Sequence, residues 1–156
     1  MKPWLMIGAL SLVIIGVLVL VTLGSYAWSS YRRVDQLEQT INAVVGVRLH
    51  FGYAVEQQLI EDAGFDVGAT WRIRLAAPVN QEDLLRIASE FAIADSADQE
   101  FYSAEFSRLF AKTLEGYVLY VAEMPLGSET ICPTLPCNIK LLLRTGDREL
   151  FVNVWG

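Results

Sequence analysis

The chain has few of the residues from which catalytic and metal sites are usually built. It carries one histidine, His50, and two cysteines, Cys132 and Cys137, among 156 residues. It contains no Walker loop, GxGxxG fingerprint, HExxH motif, CxxCH haem-attachment motif or GxSxG elbow. These absences disfavour nucleotide-dependent enzymes, metalloenzymes and serine hydrolases. We therefore predict no catalytic residue, no metal site and no cofactor.

Basic residues are scarce beyond the N-terminus. The chain has 12 Lys and Arg against 18 Asp and Glu, for a net charge of −6, and every acid follows residue 33. An acidic domain repels phosphate backbones, so nucleic-acid binding is disfavoured. The acidic run between Glu82 and Glu105 lacks the turn glycine and the final glutamate of a calcium loop. We interpret that run as a solvated face.

One charge-free stretch dominates the N-terminus. Residues 4–24 contain no charged side chain and consist mostly of Leu, Ile and Val. A helix of that length covers about 30 Å, the thickness of a bilayer's hydrocarbon core. Aromatic residues stand at both ends, where membrane-interface belts lie: Trp4, Tyr26, Trp28 and Tyr31. The pattern predicts that residues 1–28 form a single transmembrane signal-anchor helix in a lipid bilayer.

The signals for orientation conflict. Arg32 and Arg33 follow the apolar run and favour a cytoplasmic domain by the positive-inside rule. Lys2, the apolar run and the small residues Ser25 and Ala27 instead fit a secretory signal, cleavable after Ala27. The run is long for a cleaved signal. We therefore predict an uncleaved anchor, with the C-terminal domain in the periplasm or another extracytoplasmic space.

Heptad spacing follows the predicted span, at Val34, Leu37, Ile41 and Val44. It predicts a juxtamembrane stalk over residues 29–43. The alternative is that this apolar face packs against the domain.

Residues 44–156 predict one soluble α+β domain. Alternating apolar residues predict strands at 45–51 and 71–77, and a run that is apolar on both sides predicts a strand at 117–122 that is covered on both faces. Helical spacing predicts helices at 55–63, from the N-cap Asn80 to about 92, and at 98–114. This order predicts a small mixed sheet with helices on one face, arranged as a ferredoxin-like plait plus a C-terminal β-hairpin.

The hairpin at the C-terminus also predicts a binding surface. A Gly146-Asp147 turn closed by Thr145 and Arg148 places Arg144 opposite Glu149 as an ion pair. One face of the hairpin is then aliphatic, and the other carries a leucine and two aromatic residues among charges: Leu142, Phe151 and Trp155. Aromatic centres with charged rims are typical of interface hot spots. We predict that these three residues bind a partner, the alternative being that the domain's own helices cover them.

The two cysteines favour a structural role. Cys132 and Cys137 have four residues between them, which is not the CxxC spacing of thiol oxidoreductases, and the chain has too few ligands for a zinc site. We predict a disulfide that closes a proline-rich loop, with free thiols or a redox or metal role as alternatives. His50 is predicted to lie on the polar face of a strand beside Arg48, as an ordinary surface residue.

These features together predict a membrane-anchored subunit. We expect a non-enzymatic, single-span subunit or assembly factor of an envelope membrane complex, whose extracytoplasmic domain acts by docking to other membrane protein subunits. Ala9 and Gly16 share one helix face and support weak self-association. The alternative function is a membrane-tethered thiol-redox protein, or a small-ligand or metal sensor, that uses Cys132 and Cys137.

Overall fold

The computed structural model describes residues 14–25, 35–36, 38–62, 67–124 and 137–155. The chain forms two compact units, Met1–Asp35 and Gln36–Gly156. Helix α1, residues 14–25, belongs to the first unit, and its side chains are exposed. Within the described ranges, no helix is both long and apolar enough to cross a membrane. The predicted anchor over residues 1–28 lies partly outside those ranges and stays a prediction.

The second unit is built on a six-stranded sheet. Its elements are a π-helix (Asn42–Arg48), β1 (Tyr53–Asp62), β2 (Val67–Leu75), α2 (Gln81–Glu90), β3 (Ala92–Ile93), α3 (Ser96–Phe110), β4 (Val118–Met124), β5 (Cys137–Leu143) and β6 (Glu149–Trp155). The strand order is β1-β2-β6-β5-β4-β3, and all neighbours are antiparallel. The α+β class is confirmed.

The predicted mixed sheet and ferredoxin-like plait are wrong. A ferredoxin-like plait begins with a split βαβ unit, in which a helix connects the first two strands and another strand lies between them. Here β1 and β2 pair directly with each other as antiparallel neighbours, and no other strand lies between them. The two strands form an antiparallel hairpin at one edge of the sheet.

The first error behind that topology is the predicted strand at residues 45–51, whose first four residues belong to the π-helix. Ile41, Val44, Val45 and Leu49 are all buried, and their spacing of three and four residues places them on one side of a helix. Val47, which a strand would turn inward, is 65% exposed. The helical spacing of apolar residues continues from the predicted stalk into this segment. The structure follows that spacing and not the strand-like alternation of apolar and polar residues.

This helix also changes the boundary of the domain. Ile41 belongs to the core and Ala43 packs against it, so the last residues of the predicted 29–43 stalk pack on the domain. Val34 and Leu37 lie outside the described residues. The compact unit begins at Gln36, before the predicted boundary at residue 44.

The second error is the predicted helix at residues 55–63, of which the described residues, 55–62, lie in β1. The strand pairs with β2 from Tyr53 opposite Leu75 onward, with one bulge between Val55 and Gln57. Val55 and Ile60, which the helical spacing turned inward, are 47% and 46% exposed. Pairing with β2 supplies a hydrogen-bonded ladder, and this tertiary contact overrides local spacing.

Helices cover both faces of the sheet, not one face as predicted. One face, here called the aliphatic face, packs against the π-helix and α2. It is formed mainly by Trp71, Ile73, Ile139, Leu141, Leu143, Leu150, Val152 and Val154. The other, here called the aromatic face, contains Leu119, Leu142 and Phe151 and packs against Phe106 and Phe110 of α3.

Two local predictions are confirmed. Helix α2 begins with a capping box, in which the Asn80 side chain accepts from the Asp83 N–H and the Asp83 carboxylate accepts from the Asn80 N–H. The register of the β5–β6 hairpin is also as predicted, with Leu143 opposite Leu150.

The turn of that hairpin differs from the prediction. The Asp147 N–H donates to the Arg144 carbonyl at 3.2 Å, and Gly146 has a φ of 81°. Glycine therefore occupies the third position of a turn over residues 144–147, where positive φ is required in a type II turn. The register survives because the strands, rather than the turn type, carry the apolar pattern.

Candidate functional site

The predicted docking surface is wrong for two of its three residues. Leu142 and Phe151 are fully buried, at 0% exposure, because α3 covers the aromatic face. The Phe151 ring centroid lies 5.2 Å from that of Phe110 and 6.1 Å from that of Phe106. The alternative that the domain's own helix covers this face is the correct one.

Trp155 is the partly exposed member of the predicted surface. It lies at the end of β6, opposite Gly68 of β2. A Cβ atom added at Gly68 would stand 2.5 Å from Cε2 of the Trp155 indole. The indole therefore packs directly on the Gly68 backbone, and the absence of a side chain at Gly68 makes that contact possible.

Other predicted residues lie outside the described ranges. The membrane-interface residues Trp4, Tyr26, Trp28 and Tyr31 are among them. Cys137 is buried at the first position of β5 and does not carry a free thiol. Its predicted partner, Cys132, lies outside the described residues, so the pairing itself stays a prediction.

His50 is not on a strand. It follows the π-helix with a φ of 53°, in the left-handed region, and Nδ1 of its exposed ring lies 3.1 Å from the Arg48 carbonyl, to which it can donate. The Phe51 N–H donates to the Val45 carbonyl at 2.9 Å, which ends the helix around His50. The residue therefore terminates a helix.

Metal binding has no support in the described part of the chain. No group of three or more His, Cys, Asp or Glu side chains is placed there to hold an ion. Of the predicted acidic face, Asp83 is used in the α2 capping box, and the Asp95 side chain caps α3 by accepting from the Asp98 N–H. These two carboxylates cap helices.

A network of charges borders the aromatic face beyond the C-terminal end of α3. Glu149 is largely buried, with 11% of its side chain exposed, and it forms ion pairs with Arg72 and Lys112. Arg72 also lies 3.4 Å from Glu56, which pairs with Arg74. Burial lowers the pKa of Lys112, because the ammonium loses hydration beside the ring cluster. The network connects β1, β2, β6 and the end of α3.

The hairpin turn carries a second polar group. The Tyr117 hydroxyl donates to the Asp147 carboxylate, and Arg144 pairs with the same carboxylate at 3.1 Å. The predicted Arg144–Glu149 ion pair is therefore wrong, because Glu149 turns to Arg72 and Lys112 instead. The turn brings Asp147 close enough to Arg144 for this ion pair to form.

The titration of these groups limits their chemistry. Burial and the hydrogen bond to Asp147 raise the pKa of Tyr117 far above its ordinary value. Burial opposes ionisation of Asp147, yet the hydrogen bonds from Tyr117 and the Arg148 backbone, with Lys112 and Arg144 nearby, hold its pKa below the ordinary value. Neither group changes protonation near neutral pH, so this pair is suited to structure rather than to proton transfer.

The exposed edge of β1 is the remaining candidate site. β1 has ten residues and is the terminal strand of the sheet, whereas the opposite edge is the two-residue β3. No strand in the described ranges pairs with the outer side of β1. A long strand edge is a template for adding another strand. The short β3 offers little of that surface.

The backbone groups available on that edge follow from the neighbouring strand. The Leu75 N–H donates to the Arg148 carbonyl, so the backbone of Leu75 faces β6. Backbone direction alternates along a strand, so Arg72 and Thr70 face β1 and pair with Gln57 and Leu59. Residue 58 lies between Gln57 and Leu59, so its backbone N–H and C=O groups point away from β2. The same holds for residue 60.

The side chains of β1 are also open to solvent. Val55 and Ile60 are half-exposed on the side of the sheet that carries the aliphatic face, and Glu61 is exposed on the other. Glu56, at the bulge, is already engaged by Arg72 and Arg74. The edge therefore combines free backbone groups, two apolar side chains and one uncommitted carboxylate.

The sequence missed this edge because its spacing was interpreted as a helix. The available signal was weak: within Val55–Ile60 only Val55 and Ile60 are β-branched, whereas Glu56, Gln57 and Gln58 are good helix formers. Comparison of the chain with protein-family models, with curated proteins and with solved structures found no match.

Proposed function

We propose that the chain is a non-enzymatic, single-span membrane-anchored subunit or assembly factor of an envelope membrane complex, and that its extracytoplasmic domain acts by docking to other proteins. The observation that carries the docking role is the long, unpartnered edge of β1. Strand addition to such an edge is a common mode of protein recognition, in which backbone hydrogen bonds supply affinity and side chains supply specificity. The β1 edge replaces the buried Leu142 and Phe151 as the proposed surface.

The polar groups of the domain support a role without catalysis. Glu149, Asp147 and Glu56 are each engaged by cations, and the Tyr117–Asp147 pair is not poised to exchange protons near neutral pH. Cys137 gives no support to the thiol-redox or sensor alternative. It is buried, whereas attacking thiolates must be accessible.

The membrane part of the proposal rests on the apolar, charge-free residues 4–24 and their aromatic flanks. An extracytoplasmic domain should be digested by protease added to intact spheroplasts. Protection of the domain in spheroplasts, with digestion after lysis, would contradict the proposed location.

Docking is tested by affinity purification of the tagged full-length chain from native membranes in mild detergent. We expect the wild-type chain to bring other subunits with it. Ile60→Lys places a charge on the β1 edge and should lose them, while Leu85→Lys, at a 66% exposed position on α2, should keep them. Purification of the wild-type chain alone, or equal recovery with both variants, would contradict the proposal.

A further inference from the structure

We propose that the outer edge of β1 pairs with the same edge of a second copy of this chain, in an antiparallel register centred on Leu59. This inference rests on the docking role given to that edge above: the edge contacts a second copy of this chain, and the other subunits bind the paired copies. It would join two six-stranded sheets into one continuous antiparallel sheet across a twofold axis.

The alternation of side chains restricts the registers that are available. In an antiparallel pair, directly opposite residues lie on the same face of the sheet. After the bulge, Gln57 and Leu59 lie opposite Arg72 and Thr70 and share the aromatic face. A twofold pairing of identical strands must therefore centre on a residue and not between two residues. Centres at positions 58, 59 and 60 are within reach.

Side-chain chemistry selects the centre at Leu59. This register places Gln57 opposite Glu61 and Gln58 opposite Ile60, so an amide donor meets the uncommitted carboxylate. A centre at residue 60 would place Glu61 opposite Leu59, where the carboxylate has no donor. A centre at residue 58 would bring the bulge at Glu56 into the pairing, where that carboxylate already binds Arg72 and Arg74.

The outward-pointing backbone groups of β1 also fit the register centred on Leu59. The groups of Gln58 and Ile60 point outward, and these two residues lie opposite each other in the paired copies. Each such pair exchanges two hydrogen bonds, and the twofold axis generates a second pair. Leu59, whose backbone is used by β2, forms the non-hydrogen-bonded pair at the centre, where side chains approach most closely.

Leu59 is suited to that central position. It is partly buried and packs against the cluster of the aromatic face, so a second Leu59 across the axis would extend an existing apolar surface. A pairing of this length buries less area than a stable soluble dimer requires. Two copies anchored in one membrane have a raised effective concentration, which compensates for a weak contact.

The register is tested by disulfide cross-linking of full-length cysteine variants in native membranes. Leu59→Cys places identical thiols opposite each other and should give a dimer on oxidation. Gln57→Cys is the matched control on the same face, because its two copies would stand about 14 Å apart along the strands. That separation exceeds the Cα distance a disulfide can bridge. We expect at least tenfold more dimer from Leu59→Cys than from Gln57→Cys alone.

A second pair of variants keeps the test decisive if Leu59→Cys does not fold. Gln57 and Glu61 are exposed, and copies carrying Gln57→Cys should cross-link to copies carrying Glu61→Cys but not to themselves. Absence of the mixed dimer, or equal cross-linking of all variants, would overturn the proposed register. A Leu59→Cys adduct with a different protein would assign the edge to that protein and overturn self-pairing.

The result separates this inference from the proposed function. If subunits still co-purify with the wild-type chain while no symmetric dimer forms, docking stands and self-pairing is wrong. If co-purification also fails, the docking function itself is wrong.

Discussion

The two faces of the sheet are closed in different ways. The aliphatic face is covered by two segments, the π-helix and α2, and its buried residues are almost all apolar. The aromatic face is covered by α3, which packs on Leu119, Leu142 and Phe151. Beyond the end of α3, that same face carries the charges of Arg72, Glu149 and Lys112.

The difference shows how wide a strip of the sheet one helix can shield from solvent. A single helix is about 10 Å wide, so it shields the strands beneath it and leaves their neighbours near solvent. Polar side chains just outside that width pair with one another, because burying them unpaired would be costly. An apolar strip beside charges is therefore the expected pattern under one helix, and it is also the pattern of an interface hot spot.

The largest expected effect comes from the ring cluster under α3. Phe151→Ala should destabilise the domain by about 3–5 kcal/mol, since the ring is fully buried against Phe106 and Phe110. Trp155→Ala is the control on the same strand and should cost less, because Trp155 is partly exposed. Denaturant unfolding of the full-length chain in detergent measures both. A loss below about 1 kcal/mol for Phe151→Ala would restore the docking interpretation.

A smaller effect is expected at the charged border. Glu149→Gln should cost about 2 kcal/mol, because it leaves Arg72 and Lys112 without their largely buried carboxylate. Glu56→Gln removes another carboxylate from Arg72 at a more exposed position and should cost less than about 1 kcal/mol. Equal losses of unfolding free energy in the two variants would show that burial does not make the Glu149 ion pairs stronger than those of Glu56.

The Tyr117–Asp147 pair predicts a pH profile for stability. The pKa of Tyr117 is raised by folding, so its contribution is complete below its ordinary pKa and is lost as pH rises above about 10. The pKa of Asp147 is lowered, so its contribution is lost as pH falls below about 4. Tyr117→Phe should flatten the alkaline loss. Thermal unfolding of both proteins between pH 4 and 11 tests this, and identical alkaline slopes would refute it.

The smallest effect on stability is expected at the β1 edge. Ile60→Lys should change the unfolding free energy by about 0.5 kcal/mol or less, since the side chain is half-exposed and lies outside both cores. Ile139→Lys, at a fully buried position on the aliphatic face, is the contrasting variant and should prevent stable folding. A large loss with Ile60→Lys would mean that the edge is part of the domain's own core.

The sequence alone determined the features that depend on neighbouring residues. The capping box at Asn80 and Asp83, the alternation of β2 around Trp71, and the register of Leu143 with Leu150 all follow from local spacing and were predicted correctly. Each is specified by contacts within one element or across one short turn, so no distant segment has to be known.

Only the tertiary structure decided the secondary structure of residues 45–62 and the coverage of the aromatic face. Short segments there fit both the helical and the strand period of apolar residues. Pairing with β2 made Tyr53–Asp62 a strand. Burial of Val44 and Leu49 on one side made the preceding segment a helix. Leu142 and Phe151 became interior because α3, which ends more than thirty residues before Leu142, packs across them. Burial depends on which segment arrives from elsewhere in the chain, and the spacing of the buried residues does not contain that information.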